Sequence, residues 1–327
     1  VLDNSSVLQI LLITFPFFAL VLCGYLAARR RILPLESVSG LNSFVLFFAL
    51  PCMLYRFGAM TPIAQLLDAG VVVTWSVAAL LVVALAVAIS RNSRIGWNDA
   101  AFGALVAAFP NTGFMGVPLL VALLGPAAAG PVILTMVIDM VLTTSLCIAL
   151  SRLDGADQHG ASKALKKALK GVLTNPLPWA ILLGALSSML HLELPQPIAQ
   201  TLGMLADAAS PVALFTIGAV LARSQMLALQ QGHAPIPWRD FLPVAAIKLL
   251  VHPLLVLLVG TLALQAGLPL SRSAFTVIVL AAALPSASNV SLLAERFGAD
   301  NGRIARIILV STAAAFVTFS LAVSLRT

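Results

Sequence analysis

Charge is scarce in this chain: of 327 residues only 9% are Asp, Glu, Lys or Arg, against 60% hydrophobic, and mean hydropathy is +1.04. A soluble domain carries about a quarter charged residues, so that class is excluded and an integral membrane protein is left. Cysteine is nearly absent. Cys23, Cys52 and Cys147 fall inside apolar stretches with no paired or metal-ligand spacing, which suits buried thiols acting as small hydrophobes. The four histidines are scattered, and the chain has no phosphate-cradling glycine loop and no nucleophile elbow. ATP-driven pumping and intramembrane proteolysis therefore lack their parts, and no enzyme, metal site or cofactor is expected. Acidic residues are fewer than basic ones, 12 against 19, for a net charge of +7 and a pI near 9.9. Nucleic acid is not the implied partner, because nearly all the basic residues lie in short segments between apolar runs, where orientation in the bilayer explains them.

The long apolar runs are what the chain does have. At about 20 residues per crossing, ten spans are expected, at 7–28, 36–57, 67–90, 99–123, 129–151, 172–191, 198–222, 240–265, 273–295 and 304–325. The first is read as a membrane helix rather than a signal peptide, since it begins with Asp3 and no Lys or Arg. Fifteen of the 19 basic residues then face one side, three (Arg56, Arg272 and Arg326) face the other, and Lys248 alone lies within a span. The positive-inside rule makes the first side cytoplasmic and puts both termini outside, in the periplasm if this is a bacterial inner membrane. Residues 152–171 become a basic cytoplasmic linker between a first half, 1–151, and a second, 172–327. Five spans per half force opposite orientations, so an inverted repeat follows, traced by Pro51 against Pro211 and by Ala101-Phe102 against Ala274-Phe275. Lys163, Lys166, Lys167 and Lys170 recur at helical spacing in the linker, as in a surface helix drawn to anionic headgroups or a regulatory arm.

Two of the apolar runs are interrupted. Phe109-Pro110-Asn111-Thr112-Gly113-Phe114-Met115-Gly116-Val117-Pro118 puts two prolines, two glycines and an asparagine inside span 4, and Leu284-Pro285-Ser286-Ala287-Ser288-Asn289 interrupts span 9. Each internal proline removes a backbone hydrogen bond, so such a break survives only against protein or a polar cavity. Breaking the helix also exposes amide N–H groups at the start of its second half, where anions are favoured. Pro110, Pro118 and Pro285 are the expected helix breakers. Asn111, Thr112 and Gly113, with Ser286, Ser288 and Asn289, are the candidate substrate contacts, the polar side chains also being able to cap the half-helices. The plainer alternative is a proline kink with glycines for close packing.

Asp139, deep in span 5 and followed by Thr143, Thr144 and Ser145, is a functional candidate by default, as proton relay or cation ligand; a structural hydrogen-bond anchor is the alternative. Lys248 in span 8, with His252 one turn on, could meet an anionic substrate, neutralise Asp139 or snorkel to the interface. His252 by itself reads as a core residue, and Asp207 before Pro211 is a weaker candidate.

The two breaks carry a resemblance. Pro110 to Pro118 closely resembles the fourth-helix signature of the auxin efflux carrier family, and Pro285-Ser286-Ala287-Ser288-Asn289-Val290 resembles its ninth-helix signature. Phe48-Ala49-Leu50-Pro51, Asp207 with Pro211, Asp139 and Lys248-Leu249-Leu250 are similar as well, so the likeness runs through the chain. It implies an all-α membrane protein of ten transmembrane helices in two inverted five-helix repeats, with helices 4 and 9 crossing at their breaks, and an elevator-like movement of a transport domain against a scaffold. The bacterial branch is similar to carriers for malonate and related carboxylates; Phe15-Pro16-Phe17-Phe18 and Phe47-Phe48-Ala49-Leu50-Pro51-Cys52 look most like the malonate transporters associated with malonate decarboxylase. The long cytoplasmic loop of the plant members is missing, against auxin specificity. The expected function is secondary transport of a small carboxylate, malonate first, with Asp139 and Lys248 for coupling to protons or sodium or for charge compensation. An auxin-like or other monocarboxylate exporter is the alternative within the class. Outside it, a receptor or sensor would need a larger output domain than 152–171, and a passive channel suits the repeat less well. The oligomeric state, a homodimer included, stays open.

Overall fold

The computed structural model describes residues 4–60, 68–153, 176–230 and 236–325, and these are helical, with one isolated β-bridge and no strand. In chain order the helices are α1 (Asn4–Arg29), α2 (Ser37–Met60), α3 (Ala69–Ser90), α4 (Trp97–Ala108), α5 (Thr112–Leu124), α6 (Pro126–Leu150), α7 (Pro176–Met189), α8 (Gln196–Gln230), α9 (Trp238–Gln265), α10 (Arg272–Ala283), α11 (Val290–Arg296) and α12 (Asn301–Ser324). Six stretches, α2, α3, α6, α9, α12 and Gln196–Arg223 of α8, are long and apolar enough to cross a membrane, and shorter apolar helices accompany them. The chain is a multi-pass membrane protein. The span expected at 198–222 coincides within two residues with the apolar stretch Gln196–Arg223, and the helix runs on to Gln230 because nothing after Arg223 stops it: Gln225, Met226, Leu227, Ala228 and Leu229 are good helix formers and no Gly or Pro intervenes. The basic linker lysines lie outside the described residues.

Side-chain caps start three helices: Asp68 accepts from the Val71 N–H (3.0 Å), Ser271 from Ala274 (3.1 Å) and Asp300 from Arg303 (3.0 Å). Prolines shape three others from within. Wide π-turns at Val45–Ala49, Thr112–Gly116 and Ile247–Val251 each end two residues before a proline, Pro51, Pro118 and Pro253. The carbonyl four residues back, which a proline can neither bond nor clear, falls at the centre of each turn. A fourth π-turn, Asp139–Thr143, has no proline and begins at the buried carboxylate.

Helices α1, α2, α7 and α8 pack chiefly on one another, and α3 to α6 with α9 to α12 form a second body. Glycine contacts set the first group. A Cβ on Gly24 would run into the Phe215 carbonyl and one on Gly218 into Val21 and Tyr25; a Cβ on Gly184 would run into the Tyr55 carbonyl and one on Gly58 into Ile181 and Ala185. The two contacts match residue for residue at a spacing of 160 positions (24 with 184, 58 with 218), as do Pro51 and Pro211.

At one end of the second body Arg303, 2% exposed, ties helix ends together. It donates through Nε to the Asp240 carbonyl (2.7 Å), through Nη1 to the Asp99 carbonyl (2.7 Å) and through Nη2 to the Ser90 hydroxyl (3.1 Å), joining α3, α4, α9 and α12. A buried guanidinium is tolerable because its donors are taken up this way. Helices α4 and α10 are 12 residues each, about 18 Å by helical rise, well short of the ~30 Å hydrocarbon core. Both are buried on every side from Ala100 to Ala108 and from Val277 to Ala283, which places the two breaks inside the second body.

Candidate functional site

The two breaks touch. Phe109 to Asn111 and Pro285 to Ala287 run antiparallel as a short bridge at Pro110 and Ser286. The Asn111 N–H donates to the Pro285 carbonyl (2.8 Å) and the Ala287 N–H to the Phe109 carbonyl (3.0 Å). Proline explains the pairing: each break frees backbone groups in a region without water, and each supplies the partners that the other lacks. Gly116 leaves room beside the second break for the Leu284 side chain, whose Cδ1 would lie 2.7 Å from a Cβ there.

Asn111 (4% exposed), Thr112 (0%), Ser286 (1%) and Ser288 (8%) are buried around this crossing, and Asn289 is half-buried. Gly113 faces Met136, whose sulfur would lie 3.1 Å from a Cβ. The expected side-chain capping is absent at the first break. Asn111 occupies the cap position without a capping bond, and its carbonyl accepts from Met115 (3.2 Å) and Gly116 (2.9 Å) instead; the π-turn replaces the cap. Thr112 turns back on the Pro110 carbonyl through its N–H (2.8 Å) and hydroxyl (3.5 Å). The first-turn N–H groups of Gly113 and Phe114 then have no carbonyl behind them in the helix. At the second break the Ser286 N–H donates to the Ser311 hydroxyl (3.3 Å), while Ser286 Oγ and Asn289 Oδ1 are buried without partners. Pro118 is not a breaker: it sits inside α5, where the preceding π-turn absorbs its missing N–H. Pro110 and Pro285 lie in the breaks themselves.

A cavity of about 10 Å³, room for one water, separates the crossing from α2 and α8, lined by Asn42, Val45, Phe114, Ala213, Thr216 and Ser288 among others. Asn42 and Thr216 were not foreseen. Each is an ordinary polar residue in an apolar helix, and only the packing of α2 and α8 on the crossing sets it beside Ser288.

The charged candidates sit deeper. Asp139 is fully buried; its Oδ1 accepts from the Trp75 indole N–H (3.0 Å) and the Thr143 hydroxyl (2.9 Å), and its Oδ2 has no partner. The Thr144 hydroxyl bonds the Asp139 carbonyl (2.8 Å), which also accepts the Thr144 backbone N–H that closes the π-turn. Lys248 does not snorkel. It is fully buried, and its Nζ donates to the Ala282 carbonyl (2.7 Å) and lies 3.0 Å from Nδ1 of His252. That carbonyl would bond the Ser286 N–H in an unbroken helix, so Lys248 fills a vacancy left by the second break. Lys248 and Asp139 make no ion pair; those found among the described residues are Arg56–Asp207 and Arg94–Asp240. Trp75 stands between, bonded to Asp139 and with its ring 5.3 Å from that of His252. His252, with its Nε2 unpartnered, is thus part of a chain from carboxylate to break, and Trp75 is the member that sequence reasoning missed. No cluster of His, Cys, Asp and Glu able to hold a metal occurs among the described residues.

A buried crossing of two broken helices is transporter architecture, and comparison with known proteins agrees. The membrane transport protein family matches over residues 9–323. The chain belongs to this family, that of the auxin efflux carriers. Among its relatives, a Rhizobium meliloti (strain 1021) protein named "Putative malonate transporter" is 28% identical over 92% of this chain and 90% of its own. "Uncharacterized transporter YfdV" of Escherichia coli K12 is 26% identical over 86% of each chain, and "Auxin efflux carrier component 8" of Arabidopsis thaliana is 23% identical over 64% of this carrier and 71% of its own chain.

Proposed function

We propose that this carrier is a secondary active transporter of a small carboxylate, malonate, which it binds at the crossing of the two breaks. The observation that carries the reading is the bonded bridge at Pro110 and Ser286, around which the Gly113 and Phe114 N–H groups, Asn111, Thr112, Ser286, Ser288 and Asn289 converge in a buried setting. Such groups suit a carboxylate because N–H and O–H donors at a helix start stabilise negative charge without bringing a full counter-charge. Asn42 and Thr216 would close the site from α2 and α8. At about 10 Å³ the cavity is too small for any carboxylate, so binding requires the second body to shift against α1, α2, α7 and α8.

That shift is the elevator-like step, and the glycine contacts at a spacing of 160 support two inverted five-helix halves around it. Asp139 is the coupling residue, for protons or sodium, and the ammonium of Lys248 lends positive charge beside the crossing. The carrier would sit in a bacterial inner membrane with both termini periplasmic. Proteoliposomes test the reading: labelled malonate should enter saturably and faster under a pH or sodium gradient, with succinate and indole acetate as competitors. Uptake no better than in empty liposomes refutes malonate, and preferential uptake of the indole acid would favour the auxin-like alternative suggested by the plant relative.

A further inference from the structure

A separate site lies where α3 meets α4. An open groove of about 550 Å³ is lined by Ala84, Val87 and Ala88 on α3, by Arg91 and Asn92 in the following loop and by Trp97 at the start of α4. Ala84 and Ala88 are one helical turn apart and exposed, a shallow apolar trough between the larger exposed side chains of Leu80, Leu81 and Ile89. At its end the Arg91 guanidinium lies 4.4 Å from the centroid of the Trp97 ring. Stacking leaves the N–H edge of a guanidinium free, and among the described residues the Arg91 side chain makes no hydrogen bond or ion pair, while its backbone N–H is held by the Val87 carbonyl (2.9 Å). The nearby acids are engaged elsewhere, Asp240 with Arg94 (3.5 Å) and Asp99 with the Asp300 N–H (2.7 Å).

The loop is held in place. Asn92 Oδ1 accepts from the N–H groups of Arg94 (2.8 Å) and Ile95 (3.1 Å), and its Nδ2 donates to the Ser90 carbonyl (3.2 Å). Ser90 is anchored in turn by Arg303. A preorganised cation with unused donors, at the end of an apolar trough on a bilayer-facing helix, matches one amphiphile in both its parts.

We propose that this groove binds an anionic phospholipid, the phosphate on Arg91 and the upper acyl chain along Ala84, Val87 and Ala88. A guanidinium bonds phosphate oxygens in pairs. The loop belongs to the side on which most basic residues lie, where anionic headgroups are attracted. A free phosphate would use Arg91 but leave the alanine floor wet.

Native mass spectrometry of the full chain with phosphatidylglycerol, phosphatidylcholine and glycerol phosphate tests this. Phosphatidylglycerol should be retained over phosphatidylcholine, and Arg91→Gln should weaken it about fivefold or more, as expected for one interfacial cation. Ala88→Phe, which fills the trough and spares Arg91, should also reduce retention, so the outcome does not hang on a single variant. Equal retention of the two lipids, unchanged phosphatidylglycerol binding in both variants, or glycerol phosphate binding as tightly as the lipid would each overturn the proposal.

Discussion

Replacing Lys248 by Met tests the most unusual polar contact in the carrier. Met is unbranched, apolar and of similar length, so the space occupied by the side chain stays filled. What disappears is the ammonium, and with it the bond to the Ala282 carbonyl at 2.7 Å and the contact with His252 Nδ1 at 3.0 Å. A hydrogen bond from a charged donor contributes about 1.5–3 kcal/mol, and leaving one buried acceptor unsatisfied costs about 1–3 kcal/mol. Against these stands the relief of no longer holding an ammonium away from water, several kcal/mol for an isolated ion but smaller for one already bonded to a carbonyl and an imidazole. A net loss of about 2–4 kcal/mol is expected. At roughly 2 °C per kcal/mol for a large chain, the melting temperature in detergent should fall by about 4–8 °C. Lys248→Arg should recover only part, because the wider planar fork does not fit a pocket shaped by one carbonyl and one ring nitrogen. Combined with Asp139→Asn the loss should fall short of the sum of the two single losses, since Trp75 and His252 link the two groups in one buried chain although no direct ion pair is broken. A Lys248→Met protein melting within a degree of wild type, or a double mutant more stable than either single one, would refute this account of Lys248.

Asp139→Asn should fold normally, since the amide oxygen still accepts from Trp75 and Thr143; gradient-driven accumulation should be lost while exchange of bound substrate persists, and wild-type gradient dependence in proteoliposomes would make Asp139 structural. Asn111→Ala and Asn289→Ala should each abolish saturable uptake with insertion and melting temperature little changed, because neither side chain makes a capping bond that the fold depends on; normal affinity and turnover in both would remove the crossing as the substrate site. Gly184→Leu should destabilise by about 3 kcal/mol or more, since its Cβ would meet the Tyr55 carbonyl and backbone cannot yield as a flexible side chain can; Gly24→Leu should match it if the two contacts are repeat-related, and a neutral effect in a thermal melt of either would contradict the packing.

The amino-acid sequence by itself determined where the helices lie and where two of them fail. Apolar runs must become helices in a bilayer, and Pro110 and Pro285 mark the interruptions because each removes an N–H beside a cluster of Asn, Ser, Thr or Gly, whereas Pro16 and Pro211, with no such cluster beside them, lie inside continuous helices. The buried Asp139 and the lone intramembrane Lys248 were legible for the same reason: an ionisable group in an apolar run is visible without coordinates. Their partners were not. That the Ala282 carbonyl takes the Lys248 ammonium, that Trp75 holds Asp139, and that Asn42 and Thr216 line one cavity with Ser288 are placements of residues 34 to more than 200 positions apart, and no local pattern encodes a distance across a bundle. The cap expected of Asn111 is missing on the same ground: the Asn111 N–H goes to the opposing break and its carbonyl to a π-turn, and only the tertiary structure decides which polar groups stay unpaired at the crossing.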